Sequence, residues 1–160
     1  MGDALAVVLL ERKGFTPEDF ALFHPAGTLG KRLLLKVSDI MHTGEALPLI
    51  PQTTGFLSAL LEISTKKLGM GIIVDEAGQT LGILTDGDIR RALTRNPDAR
   101  TITLPEAITR NPRTIDTEAL AVSALRLMEE RKITVLLVTN GDGKPEGVIH
   151  MHDILKTGIS

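Results

Sequence analysis

The sequence predicts a mixed α/β fold: two β-α-β-β-α halves related by a pseudo-twofold, with small sheets covered by helices. Three observations carry this. The second half repeats the first at a shift of 65 positions, from Gly82 to Gly147. Each copy holds short apolar runs of strand length around a stretch of helical period. The 160 residues are 42% hydrophobic but only 2% aromatic, with no Trp or Tyr. The core is then built from Leu, Ile, Val, Ala and Met, which suits helices packed on sheets.

The repeat runs without a gap from about Ile50. Ile50 falls on Ile115, Ala59 on Ala124, Leu60 on Leu125, Ile63 on Met128 and Lys67 on Lys132. Ile72 falls on Leu137, Ile73 on Val138, Gly78 on Gly143, Asp88 on Asp153 and Ile89 on Ile154. A supersecondary unit is repeated when one copy cannot bury its own apolar face. Two copies close one core.

In chain order, Asp3 to Lys13 reads as a helix with Leu5, Val8 and Leu9 on its apolar face and Gly14 as its stop. Thr16-Pro17-Glu18-Asp19 starts a second helix. Pro25, Gly27 and Gly30 make a turn-rich loop before a short basic helix. In the first half, Leu49-Ile50 is a short strand. Thr53 or Thr54 caps a helix carrying Leu57, Leu60, Leu61 and Ile63 inward, and Gly69 ends it. Met70 to Val74 is a strand covered on both faces, Asp75 to Gly78 a turn, and Leu81 to Leu84 the returning strand. In the second half Thr117 caps a helix with Ala121, Leu125 and Met128 inward. Strand Val135 to Val138, turn Asn140 to Gly143 and strand Gly147 to Ile149 follow. Residues 95 to 104 link the halves.

The chain is organised around Gly82 to Arg91, a buried strand running into a helix. Asp86 or Asp88 caps that helix, and Ile89, Ala92 and Leu93 form its apolar face. The junction sets the Thr85 hydroxyl and the Asp88 carboxylate beside a helix N-terminus, whose unsatisfied N–H groups and partial positive charge suit phosphate. The two acceptor oxygens of a carboxylate match the paired hydroxyls of a ribose. A capping-only role for the same two residues fits the junction equally. In the second copy His150 replaces Thr85 while Asp153 matches Asp88, so the two cradles are expected to be unequal. A histidine meets an anion more strongly when protonated.

These repeated closings, Gly82 to Ile89 and Gly147 to Ile154, with the openings Ser38-Asp39-Ile40-Met41 and Pro105-Glu106-Ala107-Ile108, resemble the cystathionine-β-synthase-type (CBS) motif. Two in tandem resemble a CBS pair, or Bateman domain. Upstream, Gly2 to Ala6, Gly14 to Ala21 and His24-Pro25-Ala26-Gly27-Thr28-Leu29-Gly30 are similar to the end of the sugar-isomerase (SIS) domain of bacterial D-arabinose 5-phosphate isomerases, where a SIS domain precedes a CBS pair. The resemblance divides the chain into a SIS remnant and linker at 1–36, a first CBS motif at 37–96 and a second at 97–160. It implies a C-terminal fragment of a longer enzyme.

The resemblance implies more. His24 aligns with an active-site histidine that handles protons during aldose–ketose isomerisation, while the other catalytic groups lie in the absent part, so the fragment alone is expected to be inactive. No organic cofactor is implied. Thr85, Asp88, His150 and Asp153 become the ligand-binding residues, with AMP, ATP or the sugar nucleotide CMP-Kdo as candidate ligands. CMP-Kdo fits as an end product, because the family feeds synthesis of 3-deoxy-D-manno-octulosonate (Kdo) for lipopolysaccharide. CBS pairs self-associate as dimers, and the parent is expected to be a homotetramer. A ligand-free assembly module and a stand-alone adenine-nucleotide sensor are the alternatives.

Composition narrows the partners. Net charge is −2 with dispersed basic residues, which excludes an electrostatic case for nucleic acid, and the scarcity of aromatics removes base-stacking platforms. Cysteine is absent, so disulfides and zinc–thiolate sites are excluded, as is compatible with a cytoplasmic protein. The apolar run Leu5 to Leu10 is too short to span a bilayer, and no membrane role is expected. His42, His150 and His152 with Asp153 invite a metal reading. On a helix, however, residues two apart point to different faces, and a solvated or capping role outweighs it. No metal site is expected. Arg90 and Arg91 either meet phosphate or solvate a helix face.

Overall fold

The computed structural model describes residues 28–159. The expected helices at 3–13 and from Thr16, and His24, lie outside the described residues. In chain order the elements are α1 (Thr28–Leu33), α2 (Val37–Ile40), β1 (Leu49–Pro51), α3 (Phe56–Lys66), β2 (Met70–Val74), β3 (Thr80–Thr85) and α4 (Asp86–Arg95). Then come α5 (Leu104–Ala107), β4 (Thr114–Asp116), α6 (Ala121–Arg131), β5 (Val135–Thr139), β6 (Pro145–His150) and α7 (Met151–Lys156). Each half therefore delivers strand, helix, two strands, helix, and builds one three-stranded sheet, ordered β1-β2-β3 and β4-β5-β6. The described chain falls into two compact units, one of residues 28–41, 115–136 and 149–159, the other of 42–114 and 137–148.

In the second of these units β2 is the central strand. It runs parallel to β1, with Ile50 opposite Ile73, and antiparallel to β3, with Met70 opposite Thr85 and Ile72 opposite Ile83. Its residues Met70 to Ile73 are all buried, as a strand covered on both faces requires. Gly71 is small because Ile50 and Ile63 fill the space beside it: a Cβ would stand 2.8 Å from Ile50 Cδ1. Ile50, Phe56, Ala59, Ile63, Ile73, Leu84 and Ala92 join Ile102, Leu104 and Ala107 in one apolar cluster.

Helix α3 corrects the expected face. Phe56, Ala59 and Ile63 are its buried residues, with Leu60 partly buried against the same cluster. Leu57 and Leu61, expected inward, are 53% and 70% exposed. The helix advances about 100° per residue, so the stripe led by Phe56 leaves the Leu57–Leu61 stripe on the next face round. The caps differ too. Gly55, not Thr53 or Thr54, precedes α3, and Leu120, not Thr117, precedes α6, neither with a side-chain cap bond. The chain's entry is set instead by burial of Phe56 and Ala121. Both helices end on a lysine in the left-handed region, Lys67 (φ 59°) and Lys132 (φ 56°), which the repeat aligns. Gly69, the expected stop, follows with φ 76°.

In the other unit α6 packs on α7 and α2. The Val37 N–H donates to the Ala119 carbonyl at 2.8 Å, and the Ala121 N–H donates to the Leu35 carbonyl at 2.8 Å. Lys36 Nζ donates to Glu118 Oε2 at 2.6 Å. That hydrogen bond and the glutamate's charge raise the lysine's pKa above its ordinary value.

Candidate functional site

The β3–α4 junction is built around Asp88, a buried carboxylate only 3% exposed. Thr85, the last residue of β3, is the N-cap of α4, which corrects the expectation that Asp86 or Asp88 would cap it. Thr85 and Asp88 form a reciprocal capping box. The Thr85 N–H and hydroxyl each donate to Asp88 Oδ2 at 2.9 Å, and the Asp88 N–H donates back to Thr85 Oγ1 at 3.4 Å. On the other oxygen, the Thr109 hydroxyl donates to Oδ1 at 2.6 Å and Arg91 Nη2 at 2.5 Å. Burial pushes the Asp88 carboxyl up, but the hydrogen bonds from Thr109, Thr85 and Arg91 together hold it below the ordinary carboxylate value.

Thr109 reaches Asp88 because its backbone bridges to β3. The Ile83 N–H donates to the Thr109 carbonyl at 3.0 Å, and the Thr109 N–H donates back at 2.9 Å. This approach explains Gly82. A Cβ there would lie 2.4 Å from the Thr109 carbonyl oxygen, well inside contact distance. The glycine of the Gly-x-x-Thr-x-x-Asp pattern therefore makes room for the segment that steadies its aspartate. Sequence reasoning did not single out Thr109. A glycine inside a buried strand was the available signal, since it marks a close backbone approach.

The second junction carries the same frame with a different cap. His150, last in β6, is the N-cap of α7, and its Nδ1 accepts from the His152 N–H at 3.1 Å. Asp153 stands at the third helical position, as Asp88 does in α4. The His150 and His152 rings meet edge to face, 6.5 Å apart. His42 lies away from that junction in sequence, and its backbone bridges to Val148 through N–H···O bonds of 2.8 and 3.0 Å. Among the described residues no group of three or more His, Cys, Asp or Glu could hold a metal, and no helix is long and apolar enough to cross a membrane.

A cleft of about 390 Å³ lies where the end of α3 faces the start of α4, lined by Leu60, Ile63, Ser64, Lys67, Gly69, Asp86 and Ile89. Asp86 and Ile89 are three apart and share a helix face; Asp88 and Arg91 share the neighbouring one. Neither Thr85 nor Asp88 lines this cleft.

Comparison with known proteins follows the repeat. A family model described as the CBS domain matches residues 37–95 and again 104–159. The chain is 50% identical over 159 residues to the arabinose 5-phosphate isomerase KdsD of Pseudomonas aeruginosa, a match covering 99% of this chain and 49% of that protein. With KdsD of Escherichia coli K12 the identity is 48%, over 99% and 48%. The chain thus spans about half the length of the curated relatives it matches. Among solved structures, CBSX2 in complex with AMP superposes with a TM-score of 0.67 at 21% identity, covering 78% of this chain and 96% of that one. The CBS domain pair of MJ0100, in complex with 5′-methylthioadenosine and S-adenosyl-L-methionine, gives 0.68 at 24%, covering 77% and 94%. At these identities they show a shared fold. With both halves matched, the chain belongs to the CBS-domain family, as a tandem pair.

Proposed function

We propose that this chain is the CBS-pair portion of an arabinose 5-phosphate isomerase and that the pair binds a nucleotide or sugar nucleotide. The observation that carries the first part is 50% identity sustained over 99% of the chain. The parent reaction interconverts D-arabinose 5-phosphate and D-ribulose 5-phosphate by moving a proton between C1 and C2, and requires a residue that exchanges protons near neutral pH. His24 is that residue in this reading. The remaining groups belong to a preceding SIS domain, so the 160-residue chain alone does not turn over arabinose 5-phosphate.

For binding, the carrying observation is Asp88. A carboxylate this buried and this closely hydrogen-bonded is poised in a fixed direction beside a helix N-terminus. Thr85 and Asp88 form the stronger cradle, and His150 with Asp153 the weaker. CMP-Kdo is the ligand that makes sense as end-product feedback, with AMP and ATP as the comparisons. Calorimetry of the chain with all three tests the reading: binding of at least one supports it, and silence from all three overturns it. The SIS assignment is tested in the longer isomerase, where His24→Asn abolishes turnover and leaves nucleotide binding intact.

A second reading is an assembly module. Leu57 and Leu61, adjacent on one exposed face of α3, favour it. In that reading two pairs associate and hold together a homotetrameric parent.

A further inference from the structure

The hydrogen bonds to Asp88 raise a difficulty that points to Arg91. An ionised carboxylate offers about four acceptor positions, two on each oxygen. Four donors already reach Asp88: the Thr85 N–H and hydroxyl on Oδ2, and the Thr109 hydroxyl and Arg91 on Oδ1. A ribose hydroxyl gains an acceptor position there only when one of the four gives way. Three are fixed in place. The two from Thr85 belong to the cap of α4, and Thr109 is held by its paired backbone bonds to Ile83. Arg91 differs. Its side chain is 65% exposed, stands one turn along the helix and lies over Gly87, where a Cβ would be 3.2 Å from Nη1. It is the donor free to move.

We propose that Arg91 sets the ligand specificity of the first cradle: it holds the Asp88 oxygen that a ribose hydroxyl needs, and releases it to a ligand whose phosphate takes the guanidinium in exchange. This rests on the reading of Thr85 and Asp88 as a nucleotide cradle. A phosphorylated ligand exchanges one charge-assisted bond for another, since guanidinium pairs with phosphate as well as with carboxylate. A neutral nucleoside takes the oxygen and leaves the guanidinium with water alone. Arg91 thereby penalises the nucleoside and favours its monophosphate.

The test is calorimetry of AMP against adenosine, and CMP against cytidine, on the wild-type chain, Arg91→Ala and Arg91→Lys. The wild type is expected to bind at least one monophosphate about tenfold or more tightly than its nucleoside. In Arg91→Ala that ratio falls to within about threefold, the monophosphate weakening and the nucleoside strengthening. Arg91→Lys, which keeps the charge, lies between. A ratio unchanged in Arg91→Ala, or a nucleoside that weakens there, overturns the role of Arg91 while leaving the cradle standing. Absence of all binding by the wild type overturns the cradle and this inference with it. Thermal melting checks the fold: three donors still reach Asp88 in the alanine variant. A guanidinium Nε–H resonance that shifts with AMP but not with adenosine gives an independent readout of the exchange.

Discussion

The Thr109 hydroxyl donates to the Asp88 carboxylate across 2.6 Å, although the residues are 21 positions apart. The bond ties the opening of the second half to the closing helix of the first, at a carboxylate almost without access to water. Thr109→Val keeps the shape and removes the donor. A buried charged acceptor that loses one partner costs about 1–3 kcal/mol. Urea unfolding of the variant should show that loss at an unchanged m-value. An unchanged midpoint would mean that the bond contributes nothing to stability.

The same carboxylate makes stability fall in acid. Its pKa in the folded chain lies below the ordinary carboxylate value. Its contribution is therefore complete above the unfolded value and is lost as pH falls through the lower, folded one. Asp88→Asn removes that titration. Thermal melts taken downward from about pH 6 should give a shallower acid limb for the variant, since a carboxylate with a depressed folded pKa ties stability to pH in that window. The neutral-pH stability also drops, because the amide serves its four neighbours less well. Parallel acid limbs in the two proteins would rule out Asp88 as a source of the pH dependence.

The exposed leucines of α3 separate stability from assembly. Leu57 and Leu61 touch little of their own chain's core, so Leu57→Lys with Leu61→Lys should change unfolding free energy by no more than about 0.5 kcal/mol for each site. If the face joins two copies, sedimentation should find wild type associated and the double variant monomeric. Equal sedimentation of both proteins removes this face as the interface.

How much was legible follows from the range of each signal. The strands were readable because Met70 to Val74 and Val135 to Val138 are unbroken apolar runs, and the repeat confirmed each from the other. The face of α3 was not, because its leucines and isoleucine occupy two overlapping stripes, and only the partner sheet chooses between them. Burial of Phe56 decided for one stripe and left Leu57 and Leu61 outside. The caps at Thr53, Thr54 and Thr117 were read from side-chain chemistry, whereas tertiary contacts fixed where α3 and α6 begin. Thr85 and Asp88 were singled out together, and they do meet. Their mutual capping box is local, three residues long, and so visible in sequence. Thr109 is a long-range partner with no local pattern, and Arg91 gained its meaning only once Asp88's other donors were located.

Gly82 is the position where a single methyl should matter most. A Cβ placed 2.4 Å from the Thr109 carbonyl oxygen cannot be absorbed by a side-chain rotation, because the Cβ is fixed rigidly on its Cα and the oxygen it meets is backbone. Gly82→Ala must push residues 108–110 off β3, breaking the paired bonds between Ile83 and Thr109 and withdrawing the hydroxyl from Asp88. Overpacking of this kind costs about 1–3 kcal/mol. Hydrogen exchange should show the Thr109 amide losing protection out of proportion to the rest of the chain. Uniform loss of protection would instead indicate a general destabilisation.

The second junction offers the converse experiment, in which a residue is improved. His150 caps α7 through an imidazole nitrogen bonded to the His152 N–H, while Asp153 stands where Asp88 stands in the first copy. His150→Thr writes the first half's Thr-x-x-Asp pattern into the second. A threonine hydroxyl accepts from the N–H of the third helical residue, whose carboxylate accepts in turn from the backbone N–H of the cap. The gain should be about 0.5–1 kcal/mol, read as a higher melting temperature and slower exchange in α7. The substitution also tests whether the cap identity makes the cradles unequal. A wild-type chain binding one equivalent of nucleotide should approach two in His150→Thr, whereas a stoichiometry fixed at one would place the inequality elsewhere than in His150.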